Sequence, residues 1–237
     1  MDGVLGTDIS HWEDNPTTPK KIDFVMMKNA GAEFVIFKAT QGRSWVDNVF
    51  LSSYADASNL IRGAYHFLDW TADSDKQAEH FCNKIENVKL DFPPVVDFEC
   101  RTNAPSQTTA TSELWSFVKY VENRTSRIPI IYTSPYYWFE YGSNATVWKK
   151  YPLWIANYKI TQPSIPAPWT DYLMWQYTDH GDGNAFGAES KEIDLNVFKG
   201  TLNDLRKFVG LPVIVPPTLT DAEKLARLWN AHPELHN

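Results

Sequence analysis

Eight short runs of apolar or alternating residues recur along the chain, at 4–9, 34–40, 61–68, 94–99, 130–134, 153–158, 173–178 and 192–197. The first five are separated by stretches with helical character, at 20–30, 48–59, 74–88 and 109–124. Strands that alternate with helices pair in parallel through right-handed crossovers, and eight of them argue for a barrel. In the third helical stretch Ala78, Phe81, Cys82 and Ile85 keep the period, and Asp73 and Ser74 stand where caps belong. A doubly wound open sheet is the competing arrangement. It is disfavoured because no glycine-rich phosphate turn follows the first strand.

The second half departs from this rule. Pro163, Pro166 and Pro168 interrupt the segment before the seventh strand, and Gly181, Gly183 and Gly187 interrupt the one after it. Neither segment can hold a regular helix of full length. Residues 135–151 leave room only for a short one. The expected fold is therefore α/β: an irregular, TIM-like β/α barrel of eight strands with helices missing between the last ones. It occupies residues 1–210. A proline-rich linker follows at 211–219, and an amphipathic C-terminal helix at 220–237. Thr220 and Glu223 form a capping-box pattern, Ala222, Leu225, Ala226 and Trp229 follow at helical spacing, and Pro233 lies near the stop. Two readings of this helix stand open: it docks on the barrel, or it leads into a further module.

Composition narrows the function. Of 237 residues, 22 are Lys or Arg and 29 are Asp or Glu, giving a net charge of −7 with no basic cluster. A phosphate-neutralising surface, and with it a nucleic-acid partner, is not expected. No apolar run approaches the ~20 residues of a membrane helix, and the N-terminus lacks a basic stretch followed by an apolar one, so neither membrane insertion nor a secretory signal is expected. The two cysteines belong to no metal-binding or redox motif, and no metal or cofactor is expected. Asp182-Gly183-Asn184 lacks the full spacing of a calcium loop and reads as a glycine turn. Asn123 and Asn144 fit the N-glycosylation pattern, which matters only in a eukaryotic secretory pathway. A monomer is expected.

In a barrel of this type chemistry collects at the C-terminal ends of the strands. Those ends carry Asp8, Lys38, His66, Asp97, Glu99, Tyr132, Asn157, Gln176 and Asp194. Four are carboxylates, and clustered like charges destabilise a fold unless they serve function. Asp97 and Glu99 are two positions apart on one strand, so both face the lumen while Phe98 faces the helix layer. Their backbone separation of about 6.6–7 Å lets them share one substrate group. Mutual repulsion should raise the pKa of one of them, and a protonated carboxyl beside an ionised one is the equipment of glycosidic bond cleavage. Residues 192–196 alternate in the same way; the strand that closes the barrel should set Asp194 beside Asp8. Lys38 falls on the lumen side and compensates the acids. Trp12, Trp45, Trp70, Trp138, Trp154, Tyr132, Tyr136, Tyr137 and Trp175 are read as a set suited to an extended carbohydrate groove.

These residues carry a resemblance. Gly6-Thr7-Asp8-Ile9-Ser10, Phe37-Lys38-Ala39-Thr40-Gln41-Gly42, Arg62-Gly63-Ala64-Tyr65-His66-Phe67, Val96-Asp97-Phe98-Glu99, Leu153-Trp154-Ile155-Ala156, Trp175-Gln176-Tyr177 and Ile193-Asp194-Leu195-Asn196 follow in order. Together they resemble family 25 glycoside hydrolases, the N-acetylmuramidases (lysozymes) of phage lysins and bacterial wall-remodelling enzymes, from about Gly3 to Val209. The resemblance implies cleavage of the β-1,4 bond from N-acetylmuramic acid to N-acetylglucosamine in peptidoglycan glycan strands, so action at a cell wall. It implies Glu99 as the acid, Asp97 as its partner, and Asp8 and Asp194 as the rest of the acidic cluster. Tyr132 lines the sugar site, and the matched motifs add Lys38, Tyr65, Trp154 and Gln176 as substrate contacts. Gln41 departs from the pattern, where the family often has Glu. Asp97 could attack the anomeric carbon, activate a water, or orient the substrate's own acetamido oxygen; two acids on one strand favour the last. A chitinase-like hydrolase and a non-catalytic wall-binding barrel are the rival classes.

Cys82 falls mid-helix and Cys100 at a strand's far end, which sets their Cα atoms beyond the ~7 Å a disulfide spans. Thiol titration of the denatured, unreduced protein should count two thiols; a count of zero in a monomer would contradict this.

Overall fold

A computed structural model describes residues 3–14, 21–215 and 220–231. Its strands are β1 (Val4–Ile9), β2 (Phe34–Gln41), β3 (Trp45–Val46), β4 (Ile61–Phe67), β5 (Val95–Asp97), β6 (Ile130–Thr133), β7 (Leu153–Ala156), β8 (Met174–Asp182) and β9 (Glu192–Phe198). The helices are α1 (Phe24–Asn29), α2 (Phe50–Asp56), α3 (Ser74–Ile85), α4 (Gln107–Thr125), α5 (Pro135–Tyr141), α6 (Leu202–Phe208) and α7 (Asp221–Ala231), with a 3-10 turn at Thr146–Lys150. Strand order is β1-β9-β8-β7-β6-β5-β4-β2-β3, and a parallel β1–β2 pairing closes the barrel. Eight strands form the wall. The two-residue β3 only extends β2 as a hairpin, with Gln41 opposite Trp45.

Two expectations about the strands need correction. Pairing is parallel from β1 through β2 to β8, but β9 runs antiparallel to both β1 and β8. A strand that follows its neighbour through a short glycine turn instead of a helix must reverse direction. Asp194 therefore reaches the rim from near the start of its strand, not from its C-terminal end. The late crossovers do lack helices, at 157–173 and 183–191. The sequence reading missed α6, although Thr201 and Asp204 make a reciprocal capping box at its start. Asp73 caps α3 by position only; the Ser74 N–H donates instead to Glu113 Oε2 of α4 at 2.9 Å. Lys20, Pro216, Pro217 and Pro233, which entered the expected helix, linker and stop, lie outside the described residues.

Strand alternation sorts the interior into two cores. Val35, Phe37, Val96, Phe98, Ile131 and Ile155 face outward and pack with Phe81 of α3 and Leu114, Phe117 and Val121 of α4. Val4, Phe34, Ile36, Ile61, Val95, Ile130, Met174 and Phe198 face inward as an apolar floor, closed from below by Leu205 of α6. The lumen is narrow, and glycine makes the room. A Cβ on Gly6 would lie 2.5 Å from atoms of the Phe34 ring, and one on Gly63 would lie 2.6 Å from Ile36 Cδ1. Both cysteines are buried and unbridged. Beyond the linker α7 buries none of its residues, and Leu225 and Leu228 stay exposed. Among the described residues no helix is long and apolar enough to cross a membrane.

Overpacking a filled interior costs about 1–3 kcal/mol. Gly6→Ala should lower Tm by roughly 2–10 °C, and Phe34→Leu in the same chain should recover part of the loss. Unchanged calorimetric melting of Gly6→Ala would contradict the packing account.

Candidate active site

Above the apolar floor every wall strand except β2 contributes a further inward residue to one cavity, and these differ in kind. Asp8, Tyr65, Asp97, Glu99, Tyr132, Trp154, Gln176 and Asp194 line one cavity. Alternation accounts for the set: Asp8 follows Val4 and Gly6 on β1, Tyr65 follows Ile61 and Gly63 on β4, and Asp97 follows Val95 on β5. Glu99 lies two residues past Asp97, just beyond the end of β5, and keeps the same face.

Asp8 is the fixed point. It pairs directly with Asp194 across the β1–β9 register. Its Oδ1 accepts from Gln176 Nε2 at 2.8 Å and from Asn196 Nδ2 at 2.7 Å. Both amides are oriented in turn. The Tyr132 hydroxyl donates to Gln176 Oε1 at 2.8 Å, the Tyr158 hydroxyl donates to the same oxygen, and Trp154 Nε1 donates to Asn196 Oδ1 at 2.8 Å. With their carbonyl oxygens occupied, the two amides can only present N–H groups to Asp8. Sequence reasoning had placed Asn196 on the lumen side without giving it a role, and had not found Tyr158; the i,i+2 spacing from Asp194 was the available signal for Asn196.

Burial pushes the pKa of every acid here upward. Asp8 is raised by burial, against which its hydrogen bonds from Asn196, Gln176 and Asp194 work. Asp194 is raised by burial and by the Asp8 charge, to about 9. The pair is therefore best satisfied with Asp8 ionised and Asp194 holding a proton that it donates to Asp8. Glu99 keeps some exposure at the mouth but is ringed by protein atoms; burial first, then the Asp8 charge, raises it to about 7. Asp97 is raised well above the usual range by burial and then by Glu99, with the Lys38 ammonium opposing. The repulsion expected between Asp97 and Glu99 is thus secondary to burial. Asp97 Oδ1 is buried and, among the described residues, has no hydrogen-bond partner.

Several expected rim residues are elsewhere. Lys38 does not line this cavity; it lies in an adjoining depression, although its charge still acts on Asp97 and Glu99. His66 turns outward into the helix layer, where it bonds Thr40 and Gln77 and burial lowers its pKa to about 3. Asn157 ties its own loop, accepting from the Ser164 N–H at 2.9 Å. Of the aromatic set, Tyr137, Trp138, Trp154 and Trp175 are at most 3% exposed. A large apolar ring is retained by the core unless backbone direction forbids it. Glu13 was missed: burial raises it to about 7, and its Oε2 accepts from the Ser10 N–H at 2.7 Å. It lies in a loop, where no periodicity signals it. Among the described residues no cluster of His, Cys, Asp and Glu could hold a metal ion.

Residues 7–185 match the family described as glycosyl hydrolases family 25. Lysozyme M1 of Streptomyces globisporus is 31% identical over 84% of this chain and 69% of its own. N,O-diacetylmuramidase of Arthroderma benhamiae is 30% identical over 86% of each chain. Among solved structures, a bacterial lysozyme from Streptomyces coelicolor is similar at a TM-score of 0.78, with 27% identity over 88% of this chain and 98% of that one. A family GH25 lysozyme from Aspergillus fumigatus gives 0.74, with 31% identity over 87% and 98%.

The raised Asp194 pKa has a sign that can be measured. A carboxyl whose folded pKa exceeds its unfolded value costs nothing below the unfolded value, and its cost grows as pH rises toward the folded one, here about 9. Asp194→Asn keeps a donor to Asp8 and removes that cost. Its Tm should exceed wild type by roughly 3–6 °C at pH 8, corresponding to about 1–2 kcal/mol, and by less at pH 5. A variant no more stable than wild type at pH 8 would contradict the shared-proton pair.

Proposed function

The chain belongs to glycosyl hydrolases family 25 and is a glycoside hydrolase of the lysozyme and muramidase type; on that premise we propose that it cleaves the β-1,4 bond between N-acetylmuramic acid and N-acetylglucosamine in cell-wall peptidoglycan. Glu99 is the general acid. It is more exposed than Asp97, and with its pKa raised to about 7 a substantial fraction carries a proton at neutral pH, within reach of a leaving oxygen.

Asp97 is the partner, and the observation that carries its role is the buried Oδ1 with no bond among the described residues. A buried carboxylate oxygen left unpaired costs free energy until a ligand supplies a donor. The acetamido N–H of an N-acetylhexosamine is such a donor. Bound to Asp97, that group has its carbonyl oxygen aimed at its own anomeric carbon, and the oxygen attacks as the bond to the leaving sugar breaks. The electron pair goes to the leaving oxygen, which takes the Glu99 proton. Water then opens the cyclic intermediate, with Glu99 as base, and the configuration is retained. Once Glu99 is neutral it no longer raises the Asp97 pKa; burial still does, and the Lys38 charge together with the bound acetamido N–H works against it toward the ionised form. Asp8 and Asp194 make one side of the cavity polar, while Tyr132, Tyr65, Trp154 and Gln176 border the sugar.

Digestion of purified peptidoglycan should give new reducing ends on muramic acid. The first product should keep the β configuration by NMR. New ends on glucosamine, or binding without any new ends, would overturn the muramidase reading, and an inverted first product would overturn the acetamido route. Glu99→Gln should lose about 10²–10⁴ of the rate while still binding glycan, and Asp97→Asn should be severely impaired. Because the acid must carry its proton, kcat/KM should fall as pH rises through about 7. A rate still climbing at pH 9, or Glu99→Gln turning over at the wild-type rate, would sink the assignment.

A further inference from the structure

Beside the acid-lined cavity lies a second depression of about 480 Å³, bordered by His11, Trp12, Lys38, Arg43, Trp45 and Thr71 among others. Lys38 links the two. Its Nζ donates to Gln41 Oε1 at 2.9 Å and lies 5.1 Å from the centre of the Trp45 ring, while its charge acts on Asp97 and Glu99. The Gln41 contact is neutral; burial lowers the Lys38 pKa, and the charges of Asp97, Asp47, Glu99 and Asp69 work against that.

The walls are rings held out to solvent on fixed backbone. Trp12 is 75% exposed and Trp45 is 39% exposed. The His11 ring lies between them, its centre 4.7 Å from Trp12 and 5.1 Å from Trp45. The loop carrying Trp12 is tied down on both sides. The His11 N–H donates to buried Asp47 Oδ2 at 3.0 Å, the Trp12 N–H to Ser10 Oγ at 3.3 Å, and Ser53 Oγ to Asp14 Oδ2 at 3.1 Å. Trp45 sits on the β2–β3 hairpin, whose Gly42 takes φ +55 directly against Asp69. An indole that stays exposed on a loop so constrained is preorganised for contact with a ligand.

Charge reverses between the two cavities. The first is lined by four carboxyl groups. The second has Lys38 and Arg43 against Asp69, and Asp69 Oδ1 is engaged by the Thr71 N–H at 3.0 Å and hydroxyl at 2.6 Å. Arg43 is exposed and enters no ion pair among the described residues. Sugar rings are neutral; the negative charge of a peptidoglycan strand resides in carboxylates, on the lactyl group or on the stem peptide.

We propose that this depression is a substrate subsite in which Trp12 seats the apolar face of an N-acetylhexosamine ring and Arg43 pairs with a carboxylate of the same strand. The inference rests on the muramidase reading and extends it to the recognition of charge. Binding is measured on the full chain carrying Glu99→Gln, so that nothing turns over, with three soluble probes. These are an N-acetylglucosamine oligomer without carboxylates, a peptide-free glycan fragment with free lactyl groups, and a fragment that keeps its stem peptides. Adding Arg43→Ala should raise the ratio of Kd for a carboxylate-bearing probe to Kd for the oligomer about tenfold. That increase should shrink in 0.5 M salt, which a general loss of fold would not reproduce. A rise for the peptide-free probe alone assigns the free lactyl carboxylate; a rise for the peptide-bearing probe alone, in which that carboxyl is tied up as an amide, assigns the stem peptide; a rise for both assigns a site that takes either carboxylate. Trp12→Ala should weaken all three probes about tenfold. An unchanged ratio in Arg43→Ala, or unchanged binding in Trp12→Ala, overturns the subsite. Release of muramic reducing ends by the wild-type chain in that case leaves the muramidase reading intact.

Discussion

The reversed last strand is the constraint on which the rim depends. Because β9 lies antiparallel between β1 and β8, Asp194 and Asn196 are delivered to the same height as Asp8 and Gln176. Two amides and one neighbouring acid then converge on a single carboxylate. A parallel β9 would carry the same residues in the opposite order and would raise Phe198, now part of the floor, to the rim. The hydrogen-bond chain from Tyr132 through Gln176 to Asp8, and from Trp154 through Asn196 to Asp8, would not close.

The barrel's two interior layers set the chemistry. The floor is apolar and filled so tightly that glycine is needed where Phe34 and Ile36 cross it. The acids sit directly on that floor, and burial heads the causes that raise Asp8, Asp97, Glu99 and Asp194. Lys38 is the cation that acts on both members of the Asp97–Glu99 pair from the neighbouring depression. These carboxyl groups therefore hold their protons to higher pH than free ones do.

Aromatic residues serve two purposes that composition alone runs together. Trp148 and Trp169 each pack against Trp138, with ring centres 5.6 and 4.4 Å from it, in the layer between strands and helices. Trp12 and Trp45 stand on loop and hairpin at the barrel mouth. Trp154 does both: its ring is buried against Tyr132 at 4.8 Å, its N–H orients Asn196, and its surface borders the acid-lined cavity.

Strand and helix periodicity by itself determined the eight-strand wall, the inward placement of Asp8, Asp97, Glu99 and Gln176, and the absence of helices at the proline- and glycine-rich crossovers. Those properties are local: a period of two assigns each side chain to a face, and proline or repeated glycine excludes a helix wherever they fall. Pairing Asp8 with Asp194 was also legible, since a closed wall must bring its last strand to its first. The outward turn of His66 follows from the same alternation that points Tyr65 inward. Only the tertiary structure decided the direction of β9, the retreat of Lys38 into a separate depression, and the burial of Trp138 and Trp175. It also decided that burial, more than the spacing of Asp97 and Glu99, raises the Glu99 pKa. Those outcomes depend on which distant segments surround a side chain and how much water they displace, and no short stretch of sequence contains that information.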